Sequence, residues 1–128
     1  MFLTHPFLTQ SRSALRHSLQ GLAVAARSER AVRQELAVLA VALPVAFLIA
    51  GSIHSWIALI GSLVLVLVAE LLNTAVEKLC DHLHPGRHPA IGTVKDLGSA
   101  AVFCALVFAA IVWISLAGLA VVEWRAVP

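Results

Sequence analysis

Four polar side chains recur at helical spacing at the end of a long apolar run: Glu70, Asn73, Glu77 and Asp81. On an α-helix they fall within an arc of about 80° and climb about 16 Å, which makes them a ladder on one face. Glu77 and Asp81 belong near an apolar–aqueous boundary, and Glu70 lies about 10 Å deeper than Glu77. An isolated carboxylate at that depth costs on the order of 3 kcal/mol, so Glu70 is expected to face protein or a hydrated cleft. There it suits a proton acceptor. The alternative is a neutral, hydrogen-bonded acid that only joins helices. Glu77 and Asp81 alone would be ordinary helix-end charges, and their alignment with Glu70 favours chemistry.

Lys95 and Asp96 stand before the next apolar run. Interfacial carboxylates and a lysine are the parts that hold a magnesium-bound nucleotide, because Mg²⁺ takes one or two carboxylates plus phosphate oxygens and a lysine neutralises the transferred group. No GxxxxGK[ST], GxGxxG or kinase catalytic loop is present, so such a site is built from scattered helix and loop side chains. A simpler reading has Asp96 capping the following helix while Lys95 snorkels to lipid phosphates. His82 and His84, two apart, do not share a helix face, so no zinc site is expected with His88.

The elements that position these groups follow from composition. The chain has 128 residues, 60% hydrophobic and 12% charged, with a mean hydropathy of +0.93. That excludes an ordinary soluble domain and points to one all-α membrane domain over residues 1–128. From Leu36 to Ala69 there is no Asp, Glu, Lys or Arg. As one helix that run would be about 50 Å long, against a hydrocarbon core of about 30 Å, so the chain must fold back. Gly51-Ser52-Ile53-His54-Ser55 is the natural turn. The expected spans are 33–51, which contains Pro44, and 55–80. The uncharged run from Leu97 to Val122 supplies a third span, 97–122, after a connecting loop at 81–96.

Arg12, Arg16, Arg27, Arg30 and Arg33 precede the first span, and Lys78, Arg87 and Lys95 surround the second connection. Only Arg125 lies on the other side. This asymmetry places the N-terminus and the 81–96 loop in the cytoplasm, with Trp56 and Trp124 at the outer aromatic belt. The basic residues follow the membrane topology, so no nucleic-acid partner is expected. The N-terminus lacks the features of a secretory signal, so the chain is expected to be held by its own spans. The first ten residues are expected to be a loose tail. Between residues 11 and 28, Leu15, Leu19, Leu22 and Ala26 line one side and Arg12, Arg16, Gln20 and Arg27 an adjoining one, the pattern of an amphipathic helix lying on a membrane. Cys80 and Cys104 lack zinc or CxxC spacing and are expected to be free thiols.

The stretches AELLNTAVEKLCD, HP and KDLGSAAV closely resemble the signature of the small bacterial integral-membrane diacylglycerol kinase family, which includes undecaprenol kinases. The resemblance runs from about Gly21 to the end of the third span and includes SERAVRQE before the first. It implies a homotrimeric helical bundle of three-span subunits, each with a surface helix, in the inner membrane of a bacterium, using ATP and Mg²⁺ to phosphorylate a lipid alcohol. Carried over by position, Glu70 resembles the general base and Asn73 the residue that orients it. Glu29 and Glu77 resemble the magnesium-holding carboxylates, with Asp81 nearby. Lys95 would contact phosphates, and Asp96, Arg87 and His88 the nucleoside side. Gln34, Glu35 and Ser99 match positions near the lipid substrate. Where diacylglycerol kinases often carry an aromatic-Lys-Gly, this chain has Leu19-Gln20-Gly21, and His17 stands where an aromatic nucleotide contact is expected.

The reading that follows is an ATP-dependent kinase converting diacylglycerol to phosphatidic acid. Undecaprenol is the alternative acceptor, since LNTAVE and HP also resemble that branch. A second class is a noncatalytic membrane subunit whose polar face only packs helices.

Overall fold

The computed structural model describes residues 6–128, with side chains from residue 10 onward, and these form helices joined by short connections. Helix α1 spans Pro6–Ser28, α2 Arg30–Ile49, α3 Ile53–Leu83 and α4 Pro89–Arg125. Helices α2, α3 and α4 are each long and apolar enough to cross a membrane. Their outward faces agree: Phe47 is 77% exposed and Ile114 73%, which suits lipid as the surrounding solvent. The chain is a multi-pass membrane protein.

The breaks are local. Glu29 is extended between α1 and α2 (φ −115°, ψ 117°). Arg33 reaches back from α2, its Nη1 donating to the carbonyls of Ala26 at 3.1 Å and Arg27 at 3.0 Å. These are C-terminal carbonyls of α1, which a guanidinium satisfies in both hydrogen bonding and charge. Pro44 lies inside α2 without ending it.

At the next turn Ser52 is extended and its Oγ accepts from the Ser55 amide at 3.2 Å, capping α3. Ser52→Ala is expected to cost about 1 kcal/mol of stability, measured as a lower unfolding midpoint in a fixed detergent, with Ser52→Asn keeping most of the wild-type value.

Two boundaries differ from expectation. Helix α1 begins at Pro6, so residues 6–10 of the expected tail are helical, while residues 1–5 lie outside the described residues. The connection between α3 and α4 is shorter than 81–96, since residues 81–83 complete α3 and 89–96 open α4. The cause lies at residues 88 and 89: His88 Nδ1 accepts from the Ala90 amide at 3.2 Å, and Pro89 occupies the first turn, where its missing N–H costs nothing. Asp96 is therefore inside α4 and does not cap it.

Helices α3 and α4 pack most extensively, α2 joins α3, and α1 rests on α2. The α3–α4 core is Val66 against Ala105 and Ala109, flanked by Leu63 and Ala69. Small residues one turn apart on α4 let the backbones approach, the usual route to helix association where apolar burial gives little drive. Trp113 Nε1 donates across this interface to the Leu59 carbonyl at 3.1 Å. At about 46 Å and 55 Å, α3 and α4 are longer than the hydrocarbon core. Of their joined end, only residues 84–88 lie outside the two helices.

Candidate functional site

The polar face of α3 lies on the side where α2, α4 and the α1–α2 corner converge. Glu70 and Glu77 are half-buried on α3, and Glu35 is half-buried on α2. Glu35 is near enough to Glu70 for the two carboxylates to feel each other's charge, and Glu77 and Glu29 act on Glu70 in the same way. Four carboxylates from three segments thus share one neighbourhood. A cation placed among them would relieve the repulsion between these like charges.

Two lysines supply cations. Lys78 Nζ lies 3.0 Å from Glu29 Oε1, joining α3 to the α1–α2 corner. The same carboxylate oxygen accepts from Ser28 Oγ at 3.2 Å. The Lys78 ammonium holds the Glu29 carboxyl below the usual carboxylate range, with smaller contributions from Ser28 and Arg33. Lys95 Nζ lies 2.6 Å from Asp81 Oδ1, tying α4 to α3 near their shared end. Lys95 therefore has a protein partner rather than serving only as a snorkelling side chain.

Asn73 sits at the junction of α3 and α4. Its Nδ2 donates to Glu77 Oε1 at 3.4 Å, a long bond. Its Oδ1 is buried with no hydrogen-bond partner, a costly state for an amide oxygen and one that a ligand hydroxyl would relieve. Gly98 of α4 packs directly on that oxygen, where a Cβ would overlap it. Beside this contact an apolar groove of about 750 Å³ runs between α3 and α4, lined by Val68, Leu72, Val94, Leu97, Ala101 and Phe108 among others.

The structure thus brings together Glu29, Glu35, Glu70, Asn73 and Glu77, and pairs Asp81 with Lys95. Gln34, Arg87, Asp96 and Ser99 are exposed, and His88 makes the α4 cap. Among the described residues no hydrogen bond or ion pair links these five to the carboxylates. Sequence reasoning missed Lys78 and Gly98 as parts of this neighbourhood. A glycine inside an apolar helix does signal close backbone approach, but nothing local marks Lys78 as the partner of Glu29. Cys80 is buried, Cys104 exposed, and both are free thiols.

Among the described residues no three His, Cys, Asp or Glu side chains form a ready-made metal cage. Magnesium does not need one, since substrate phosphates complete its shell around one or two carboxylates. Glu29 and Glu77 fit that requirement, and Glu29 already has one cationic partner in Lys78.

The family described as prokaryotic diacylglycerol kinase matches this chain over residues 16–117. The chain belongs to that family. It is 40% identical to a diacylglycerol kinase of Haemophilus influenzae over 106 residues, covering 83% of this chain and 90% of the relative. It is 38% identical to one of Pseudomonas aeruginosa over 104 residues, 81% and 85% of the two chains. The Escherichia coli K12 enzyme of the same name is 35% identical over 105 residues, 82% and 86%. For the prokaryotic diacylglycerol kinase family the matched span takes in every site residue discussed above, from Glu29 to Ser99.

Proposed function

We propose that this protein is a lipid kinase of the inner membrane that transfers the γ-phosphoryl group of ATP to the hydroxyl of diacylglycerol, giving phosphatidic acid and ADP. The observation that carries this reading is the place of the carboxylates. Glu70 is half-buried within the membrane helix α3, near Glu29, Glu35 and Glu77, and Asn73 at the edge of the same group lines a groove open between α3 and α4. A lipid can enter sideways from the bilayer with its chains on these apolar walls and its hydroxyl near Asn73, the polar residue that joins the groove to the carboxylate group.

In this reading Glu70 accepts the hydroxyl proton as the lipid oxygen bonds to the γ-phosphorus and the bond to the β–γ bridging oxygen breaks. Asn73, whose Nδ2 donates to Glu77 Oε1 at 3.4 Å, helps to orient the polar face on which Glu70 stands, and the single hydroxyl proton goes to Glu70. Glu29 and Glu77 would hold Mg²⁺ with the nucleotide, and the ion when bound neutralises phosphate charge. Lys95, released from Asp81, meets the phosphates. His88, Arg87 and Asp96, around the start of α4, face the nucleoside side, and Gln34, Glu35 and Ser99 lie toward the lipid. Phosphoryl transfer passes through a loose transition state, so positioning and charge neutralisation supply most of the rate. A homotrimer with sites shared between neighbouring subunits belongs to the same proposal.

The test is phosphate transfer from radiolabelled ATP in mixed micelles with magnesium, with diacylglycerol and undecaprenol offered in parallel. Label mainly in phosphatidic acid supports the proposal. Preference for undecaprenol keeps the chemistry and changes the acceptor. Transfer to neither lipid by a folded sample overturns the kinase reading and leaves a noncatalytic subunit.

A further inference from the structure

We infer that Lys78 is a built-in counter-cation that occupies Glu29 until a divalent ion arrives with the nucleotide, and so sets the magnesium requirement of the enzyme. The inference rests on the kinase reading above, in which Glu29 holds the metal.

Lys78 follows Glu77 directly, so its side chain leaves α3 about 100° around from the polar face. That direction carries it toward the surface helix, where it borders a groove with Gly21, Val24, Ala25, Leu71 and Thr74. From there its ammonium reaches Glu29 at 3.0 Å. The bond bridges the corner between surface helix and first span to the helix that carries Glu70 and Glu77. It therefore holds Glu29 near its partner carboxylates while keeping it neutralised.

Magnitude decides what such a bridge can do. The Lys78 and Glu29 side chains are 54% and 29% exposed, and pairs this accessible alter an equilibrium by a factor of about five at most. A buried pair would lock the carboxylate. This one yields to a divalent ion, which has twice the charge and brings phosphate oxygens. Displaced, Lys78 retains its long flexible stem and can move into solvent. The bridge thus lowers metal affinity modestly and pre-positions the carboxylate. Lys78 is a positioning residue, since it acts through Glu29 and not on the reacting atoms.

The experiment uses full-length protein in micelles, with Mn²⁺ and a non-hydrolysable ATP analogue as the probe and protein-bound Mn²⁺ read by electron paramagnetic resonance. Lys78→Met is expected to tighten Mn²⁺ binding about three- to fivefold and to lower the magnesium concentration for half-maximal activity to match. Lys78→Arg keeps the charge and stays near wild type. In a Glu29→Gln background the Lys78→Met effect disappears. Lys78→Gln serves as a second neutral variant should Lys78→Met fail to assemble. Unchanged or weaker Mn²⁺ binding in the neutral variants, or an effect that persists without Glu29, overturns the inference. Failure of the wild type to phosphorylate any lipid is a separate result, which sinks the kinase reading itself.

Discussion

Glu70→Gln is expected to lower kcat for lipid phosphorylation by about 10²–10⁴-fold, the range a positioned general base contributes, and to leave assembly intact. The substitution is nearly isosteric and keeps hydrogen-bonding capacity while removing the proton acceptor. It also removes one negative charge from a neighbourhood that holds Glu29, Glu35 and Glu77. Mutual repulsion among the carboxylates falls, so the variant is expected to be at least as stable as the wild type. A separation of activity from stability is the diagnostic outcome. The measurements are steady-state kinetics in mixed micelles and the unfolding midpoint of the same sample. KM for ATP should change little, because a group acting only on the hydroxyl proton does not bind the nucleotide in the ground state. Full activity in Glu70→Gln would remove the base assignment. A loss of activity accompanied by loss of assembly would favour the helix-packing role.

Much of this arrangement was legible in the sequence because it rests on local properties. Span number follows from the length of uncharged runs, and the face shared by Glu70, Asn73, Glu77 and Asp81 follows from the pitch of one helix. What the sequence did not place depends on two kinds of non-local information. The loss of charge at Leu97 marks where the apolar run begins, not where the helix begins. The helix starts earlier, at Pro89, because its cap is a histidine ring nitrogen, a residue outside the usual capping set. The pairings Lys78–Glu29 and Lys95–Asp81 required the corner and the α3–α4 turn to be in place. Packing of Gly98 on Asn73 likewise needed the rotation of α4 about its own axis, which a nearly uniform apolar helix hardly reveals.

That last contact leads to the other large effect. Gly98→Ala is expected to cost about 10²-fold in activity with little loss of stability. Alanine gains up to about 1 kcal/mol over glycine in a helix interior, whereas overpacking a tight contact costs about 1–3 kcal/mol, so the net change in stability is small. The geometry has no such compensation. The new methyl would overlap Asn73 Oδ1, and either the amide rotates or α4 moves away. Rotation breaks the Asn73–Glu77 bond and swings the unpartnered oxygen out of place. Movement of α4 shifts Lys95 relative to α3. Either response displaces an orienting or charge-neutralising group by about 1 Å, enough to lose two orders of magnitude in rate. Gly92→Ala is the control, since a Cβ there meets no atom within 4 Å, and it should leave the rate unchanged. The decisive comparison is a double-mutant cycle. With Asn73→Ala in place the added methyl has room, so Gly98→Ala should add little further loss, and the two single effects should be strongly non-additive. Additive losses would show that Gly98 acts through some contact other than Asn73.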